Sequence, residues 1–266
     1  MLNAALYKKE FFGSLRLLAV FGAILTLYIT MIIRMYDPEM AQALAQFEQL
    51  MPELMSAVGM TGVNDSLMDF MISYLYGMLL LVFPMVYTIL RANALVAKYV
   101  DRGSMALLLA SPVRRTTVAL TQLSVLVTGI TALTAYCTLL EMVTAHICFP
   151  GELAVGQLLR LNGGLWCLQL CIGGFCFLCS CLFGDARYSA ALGAGVPCLM
   201  YVLQMLANMG GKLEGFRYAT VFTLFQPQRL AQGNWRAGLY AVVLLTAAVL
   251  LFAAAAAVFR RRDLHI

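Results

Sequence analysis

Charged residues are scarce in this 266-residue chain. Asp, Glu, Lys and Arg together make up 12% of it, while hydrophobic residues make up 62%. A soluble globular domain carries about a quarter charged residues. A chain of this length has too little interior to hide so much apolar surface from water. The composition therefore excludes an ordinary soluble protein and indicates that the chain is dissolved in a lipid bilayer.

Charge is absent altogether from six long apolar runs, and a charged residue bounds each run at both ends. A helix that crosses the hydrocarbon core needs about 20 apolar residues. Every backbone polar group must be paired internally there, which favours helices. We therefore predict an all-α membrane protein, a single domain over residues 1–266, with transmembrane helices at 17–33, 70–90, 116–140, 161–184, 188–211 and 237–259.

The basic residues predict how these helices are oriented. Twelve of the 18 Lys and Arg residues fall on the side that both termini share, and six fall on the other side. Lys and Arg are enriched in cytoplasmic loops. We therefore predict that both termini are cytoplasmic, that 34–69 is the first outer loop, and that 91–115 is the first inner loop.

Motifs for catalytic chemistry are also missing. The sequence contains neither a G-x-x-x-x-G-K-[ST] phosphate loop nor an H-E-x-x-H zinc motif, so we expect no enzyme activity in this chain. Five of the eight cysteines lie in the fourth run, where Cys packs as a small apolar residue, and we expect no metal site. Glu141 and His146 are the only candidate pair for a lipid-modifying enzyme, and the sequence shows no third group that would orient them. The absence of charge within the runs argues against an ion-coupled transporter.

The first residues suit a short amphipathic helix. Lys8, Lys9 and Glu10 lie opposite apolar positions that include Leu6 and Phe11. Such a helix lies in the membrane interface with its lysines near anionic headgroups. We predict an N-terminal interfacial helix on the inner side. The alternative is a polar flank that only orients the first span.

The first outer loop contains an apolar stripe with helical spacing, at steps of three and four residues. Pro38 and Glu39 stand where the helix should begin, Gly59 stands where it should end, and Pro52 should bend or split it. The stripe must pack on the membrane surface, on the rest of the chain or on a second copy. Its members are Met40, Leu44, Phe47, Met51, Leu54 and Val58.

The first inner loop contains the segment VDRGSMALLLASPVRR at residues 100–115. Asp101, Arg102 and Gly103 are typical of a turn, and Ser104 is a good N-cap. About two turns of helix follow, too few to be stable alone, so the helix should dock on a partner or lie among lipid headgroups. Met105, Leu108 and Leu109 form its apolar face, Pro112 after Ser111 ends it, and Arg114 and Arg115 close the segment.

This segment resembles the first cytoplasmic loop of the membrane subunits of ABC-2-type transporters, where the pattern is G-S/T-M/L-x-x-L-L-x-S/T-P-V-x-R. The stretches KKEF near the start, FRRRDL near the end and residues 222–227 also look like that family. Asp101 departs from many relatives, in which the acid stands further before the glycine. The matching residues are Gly103, Ser104, Met105, Leu108, Leu109, Ser111, Pro112, Val113 and Arg115.

The resemblance implies the permease subunit of an ABC exporter in a bacterial plasma membrane. Residues 101–115 would be the coupling helix that docks in a separate cytoplasmic ATPase subunit. ATP and Mg²⁺ would be bound by that partner, with no cofactor in this chain. The other partners would be a second copy or a sister permease and membrane lipids, with no nucleic acid. The alternative is a non-transporting sensor or assembly protein that binds a cytoplasmic partner through the same loop.

Overall fold

The computed structural model describes residues 3–37, 51–59, 66–96, 99, 115–183 and 185–261. Regular structure in these ranges is entirely helical, and six of the helices are long and apolar enough to cross a membrane. The prediction of an all-α membrane protein with six spanning helices is therefore confirmed.

The six spanning helices run alternately in opposite directions. We call the end of the bundle at which α1 begins the proximal end, and the other the distal end. Between α6 and α7, two 3₁₀ helices, Gly211–Ala219 and Val221–Leu224, lie at the distal end. The α-helices are α1 (Ala4–Arg34), α2 (Pro52–Ala57), α3 (Leu67–Leu95), α4 (Arg115–Cys148), α5 (Val155–Leu182), α6 (Ala186–Asn208), α7 (Pro227–Ala231) and α8 (Trp235–Arg261).

Several helices extend beyond the predicted spans. The first begins at Ala4, capped by the side chain of Asn3, so the predicted interfacial segment and the first span form one continuous helix. The third spanning helix, α4, continues past residue 140 to Cys148, which shortens the following loop to 149–154. Arg91 lies inside α3 rather than in the inner loop. An apolar run in the sequence ends at the first charged residue. The helix itself ends where its backbone hydrogen bonds end, which can be several residues further on.

The outer amphipathic helix is only partly within the described residues. Met40, Leu44 and Phe47 lie outside them. Pro52 is the first residue of α2, and residues 38–50 lie outside the described ranges, so a bend or split of the helix at Pro52 stays a prediction. Met51 and Leu54 are exposed and Val58 is half-buried, so most of this part of the stripe is not covered by the chain itself.

The most buried of the spanning helices is α5, which packs against α3, α4, α6 and α8. Two of its polar side chains donate hydrogen bonds to carbonyl oxygens of α3. Gln169 Nε2 lies 3.1 Å from the oxygen of Leu81, and Ser180 Oγ lies 3.0 Å from that of Ala92. Lipid cannot supply such donors. The α5 side chains therefore help to fix the half of α3 that ends at Leu95.

An irregular stretch interrupts α3. Residues Ile72–Leu79 form a π-helix, and Pro84 follows within the next turn. Pro lacks an N–H and removes one intrahelical hydrogen bond. π-helical turns are rare and often mark functional sites. The wider π turns hold Tyr76 and Gly77 at the distal half of α3.

The backbone of α3 at Gly77 lies close to the backbone that follows α2, at Val58 and Gly59. A Cβ atom on Gly77 would lie 2.8 Å from the carbonyl oxygen of Val58 and 3.1 Å from that of Gly59. Gly59 itself has a φ of 76°, which favours glycine. This backbone contact holds the end of α2 against the π-helix.

We expect Gly77→Ala to destabilise the protein, because its methyl group collides with backbone atoms that cannot rotate away. Overpacking of this kind costs about 1–3 kcal/mol. Thermal unfolding of the purified chain in detergent, followed with a thiol-reactive dye that reads the buried cysteines, measures the loss. Gly163→Ala in α5 is the matched control, since a Cβ there meets nothing within 4 Å. An equal melting temperature for both variants would contradict the close contact.

Candidate functional site

Three polar side chains meet inside the helical bundle. Tyr76 Oη donates to Glu141 Oε2 at 2.8 Å, and Asn162 Nδ2 donates to the same oxygen at 2.9 Å. Asn162 Nδ2 also lies 2.6 Å from Tyr76 Oη. The three residues come from α3, α4 and α5, and all are buried. We call them the buried cluster.

The buried cluster contains a carboxyl group inside a spanning helix. Glu141 is 0% exposed and lies seven residues before the end of α4 at Cys148, about 10 Å along the helix. Among the described residues, its second oxygen, Oε1, and Asn162 Oδ1 have no hydrogen-bond partner. The predicted run ends at residue 140, just before Glu141, but the candidate spanning helix α4 continues past it and includes this acid. Ionisable groups at such depth are costly and commonly functional.

The structure separates the pair considered for a lipid-modifying enzyme. Glu141 is buried and engaged with Tyr76 and Asn162, whereas His146 is exposed. Five residues of helix turn these two side chains about 140° apart. Glu141 and His146 therefore do not form one site.

A cavity of about 370 Å³ opens at the distal end. We call it the distal cavity. Its wall is built from α2, α3, α6, the 3₁₀ segment and the start of α7, so residues far apart in sequence face one space. Tyr76 and Gly77 line it, which places the buried cluster directly behind its wall. Gln204, Arg217 and Arg229 are among its polar lining residues.

Hydrogen bonds fix the polar side of the distal cavity. Thr223 Oγ1 lies 2.7 Å from Gln204 Oε1, and Gln204 Nε2 donates to Asn208 Oδ1 at 2.9 Å. Ser56 of α2 donates to the carbonyl oxygen of Asn208. Arg229 Nη1 donates to Gln226 Oε1 at 3.1 Å. The segment after α6 is thus held over the distal end of the bundle.

A second polar cluster lies at the proximal end. Arg91 Nη2 is 3.9 Å from Glu10 Oε2 and donates to the main-chain oxygen of Glu10 at 3.2 Å. The Tyr99 hydroxyl donates to Glu10 Oε1. The pKa of Tyr99 is raised to about 12, mainly by burial and further by its hydrogen bond to Glu10 and the negative charge of that residue. The Tyr99 hydroxyl therefore stays protonated. We call Glu10, Arg91 and Tyr99 the proximal cluster.

The proximal cluster corrects one prediction. Lys8 and Lys9 are exposed as expected, and Phe11 is half-buried, stacked on Tyr7. Glu10, however, does not share the solvated face with the lysines, because it is buried against Arg91. A buried carboxylate needs a charged or hydrogen-bonding partner, and α3 supplies one.

Most of the predicted ATPase-coupling residues lie outside the described residues. These are Asp101, Arg102, Gly103, Ser104, Met105, Leu108, Leu109, Ser111, Pro112 and Arg114. Arg115 is described and is the exposed first residue of α4. The described parts of the chain contain no group of three or more His, Cys, Asp or Glu residues that could hold a metal ion.

Sequence reasoning missed both the distal cavity and the buried cluster. Gly77 and Pro84 in the second run were local signals of an irregular helix, and Glu141 was an acid at the edge of a run. Asn162 is polar but uncharged, and nothing local links it to residues 21 and 86 positions away. The pairing depends on how α3, α4 and α5 pack.

We expect Tyr76→Phe to destabilise the bundle by about 1–2 kcal/mol. This exceeds the roughly 0.6 kcal/mol average for hydrogen bonds between spanning helices, because the acceptor is a buried carboxyl group. Thermal unfolding in detergent measures the change. Tyr218→Phe, at a residue 90% exposed, is the control and should leave stability unchanged. Equal effects at the two positions would show that the buried hydroxyl contributes nothing.

We expect Glu10→Gln to destabilise the proximal end by less than the roughly 3–5 kcal/mol typical of a broken buried ion pair. Arg91 keeps its bond to the main-chain oxygen of residue 10, which limits the cost. Glu214→Gln is the control, since its pair with Arg217 is exposed and such pairs contribute about 0–1 kcal/mol. Thermal unfolding in detergent measures the loss of stability of both variants. A loss for Glu10→Gln no larger than that for Glu214→Gln would contradict a stabilising role for the Glu10 carboxylate.

No family model matches the chain, and no curated protein matches it significantly.

Proposed function

We propose that this chain is the permease subunit of an ATP-binding cassette exporter in a bacterial plasma membrane. It would pair with a second copy or a sister permease to form the translocation path. A separate cytoplasmic subunit would bind ATP and Mg²⁺ and perform the hydrolysis. The six spanning helices are consistent with this role, and the resemblance at residues 103–115 supports it.

The position of the resembling segment is the observation that carries the proposal. The helix before it ends at Leu95 and the helix after it begins at Arg115, and both ends are proximal. Residues 100–114 are therefore attached to the bundle at the end that also holds both termini. Met105, Leu108 and Leu109 would be the apolar anchor, and Arg102, Arg114 and Arg115 would meet acidic groups at the rim.

The proximal cluster suggests how movement of this segment would reach the membrane. Tyr99 stands just before the segment and bonds to Glu10 of α1, and Arg91 of α3 holds the same residue. A docked ATPase that displaced the segment would pull on α1 and α3 together. Both helices cross the membrane, so motion at the proximal end would alter the bundle.

The alternative, a non-transporting sensor or assembly protein, is supported by a different feature. Met51, just before α2, and Leu54, within it, are more than half exposed although apolar, and they lie at the distal end. A sensor would read its ligand or partner there and pass the signal through the proximal loop. It would need no ATP hydrolysis.

Co-purification tests the proposal. We expect the tagged chain, extracted from its native membranes, to bring down a vanadate-sensitive ATPase. A Leu108→Glu, Leu109→Glu double variant should lose that activity by about tenfold or more, because two charges replace the apolar anchor. Leu54→Glu is the control, since it adds a charge at an exposed apolar residue of the opposite end.

The outcomes separate the hypotheses. Equal ATPase recovery with the double variant and the unchanged chain would show that residues 104–112 are not the dock. No ATPase with any folded variant would contradict the permease proposal. If Leu54→Glu abolishes the cellular function of the chain, and that function does not depend on ATP hydrolysis, the sensor hypothesis would be supported instead.

A further inference from the structure

We propose that the distal cavity binds an anionic amphiphile, a molecule with a phosphate or carboxylate group next to an apolar body. The inference rests on the lining of the cavity alone. It holds whether or not the chain couples to an ATPase.

The charge of the lining favours an anion. Arg217 and Arg229 both line the distal cavity, and its described lining contains no Asp or Glu. Guanidinium groups bind carboxylate and phosphate oxygens through paired N–H donors. Glu214, which is not a lining residue, occupies one nitrogen of Arg217 at 2.7 Å. This exposed pair is weak and can yield to a ligand oxyanion.

The arrangement of the lining favours an amphiphile over a free ion. Arg217, Arg229 and Asn208 are exposed, and the same lining contains the half-buried Pro227 together with Phe222 and Phe225, which are largely covered. An oxyanion at the arginines would therefore have an apolar wall beside it for the rest of the molecule. The volume of about 370 Å³ lies within the roughly 300–1,000 Å³ usual for small-molecule pockets.

The carboxyl group behind the wall of the distal cavity does not reverse this preference. Glu141 lies behind Tyr76, and its Oε2 already accepts hydrogen bonds from Tyr76 and Asn162. Glu141 itself is not among the lining residues. A cation would meet two guanidinium groups and no carboxylate among the described lining residues, so the lining disfavours cations.

Thermal shift in detergent tests the proposal with three probes. These are short-chain phosphatidylglycerol, which is anionic, short-chain phosphatidylcholine, which is zwitterionic, and inorganic phosphate. A ligand that binds only the folded chain raises its melting temperature with ligand concentration. We expect saturable stabilisation by phosphatidylglycerol, at concentrations below its micelle formation, and much weaker effects of the other two probes.

Substitutions locate the binding. Arg217→Gln with Arg229→Gln should weaken phosphatidylglycerol binding about tenfold or more, because charged hydrogen bonds to the oxyanion are lost. Lys212→Gln is the control, an exposed cation in the same 3₁₀ helix that does not line the cavity. Glu214→Gln should leave binding as tight or tighten it, since it frees Arg217 from its acidic partner.

The proposal would be overturned by either of two results. Equal weakening by Lys212→Gln and by the arginine double variant would mean that general surface charge attracts the lipid. Equal stabilisation by inorganic phosphate and phosphatidylglycerol would mean that the cavity takes a free oxyanion and not an amphiphile. The melting temperatures without ligand show that each variant is folded, and the exposure of all four residues favours this.

Discussion

The carbonyl oxygens of α3 must find donors inside the protein, because lipid offers none. The rest of the bundle is arranged around that need. The π-helix and Pro84 make the hydrogen bonding of α3 irregular. Helix α5 donates to two carbonyl oxygens of α3, from Gln169 to Leu81 and from Ser180 to Ala92. Ala92 lies in the last turn of α3, where the carbonyl groups have no donor within the helix. Both bonds lie on the half of α3 that ends at Leu95, and they align α5 with that half. Helix α5 also packs against α4, α6 and α8, and it is the most buried of the spanning helices.

Burying Glu141 carries a cost in free energy that the chain offsets only in part. Two donors reach one carboxyl oxygen, while the other has no partner among the described residues. An apolar residue of similar volume would pack there without that penalty. Retaining a carboxyl group therefore fits a functional requirement better than a stabilising one. Its place behind the wall of the distal cavity, joined through Tyr76, indicates where that requirement lies.

The sequence predicts the six spans well because hydrophobic length is a local property. It predicts their ends less well, because a charged residue such as Arg91 or Glu141 marks the end of an apolar run even when a partner on another helix allows the helix to continue past it. Tyr76 and Asn162 could not be assigned to a site, because their meeting depends on helix packing. The distal cavity could not be predicted either, because its wall combines residues of α2, α3, α6 and the segment after α6, which only helix packing brings together.

The two polar clusters share one element, α3. Tyr76 in its π-helix belongs to the buried cluster, and Arg91 near its proximal end belongs to the proximal cluster. Pro84 lies between them, and a proline within a helix is where bending concentrates. A displacement applied at Arg91 should therefore bend α3 near Pro84 rather than shift it as a rigid rod. The distal half, held by Glu141 and by the Gly59–Gly77 contact, would then change its angle to the proximal half, and the distal cavity lies on that distal half.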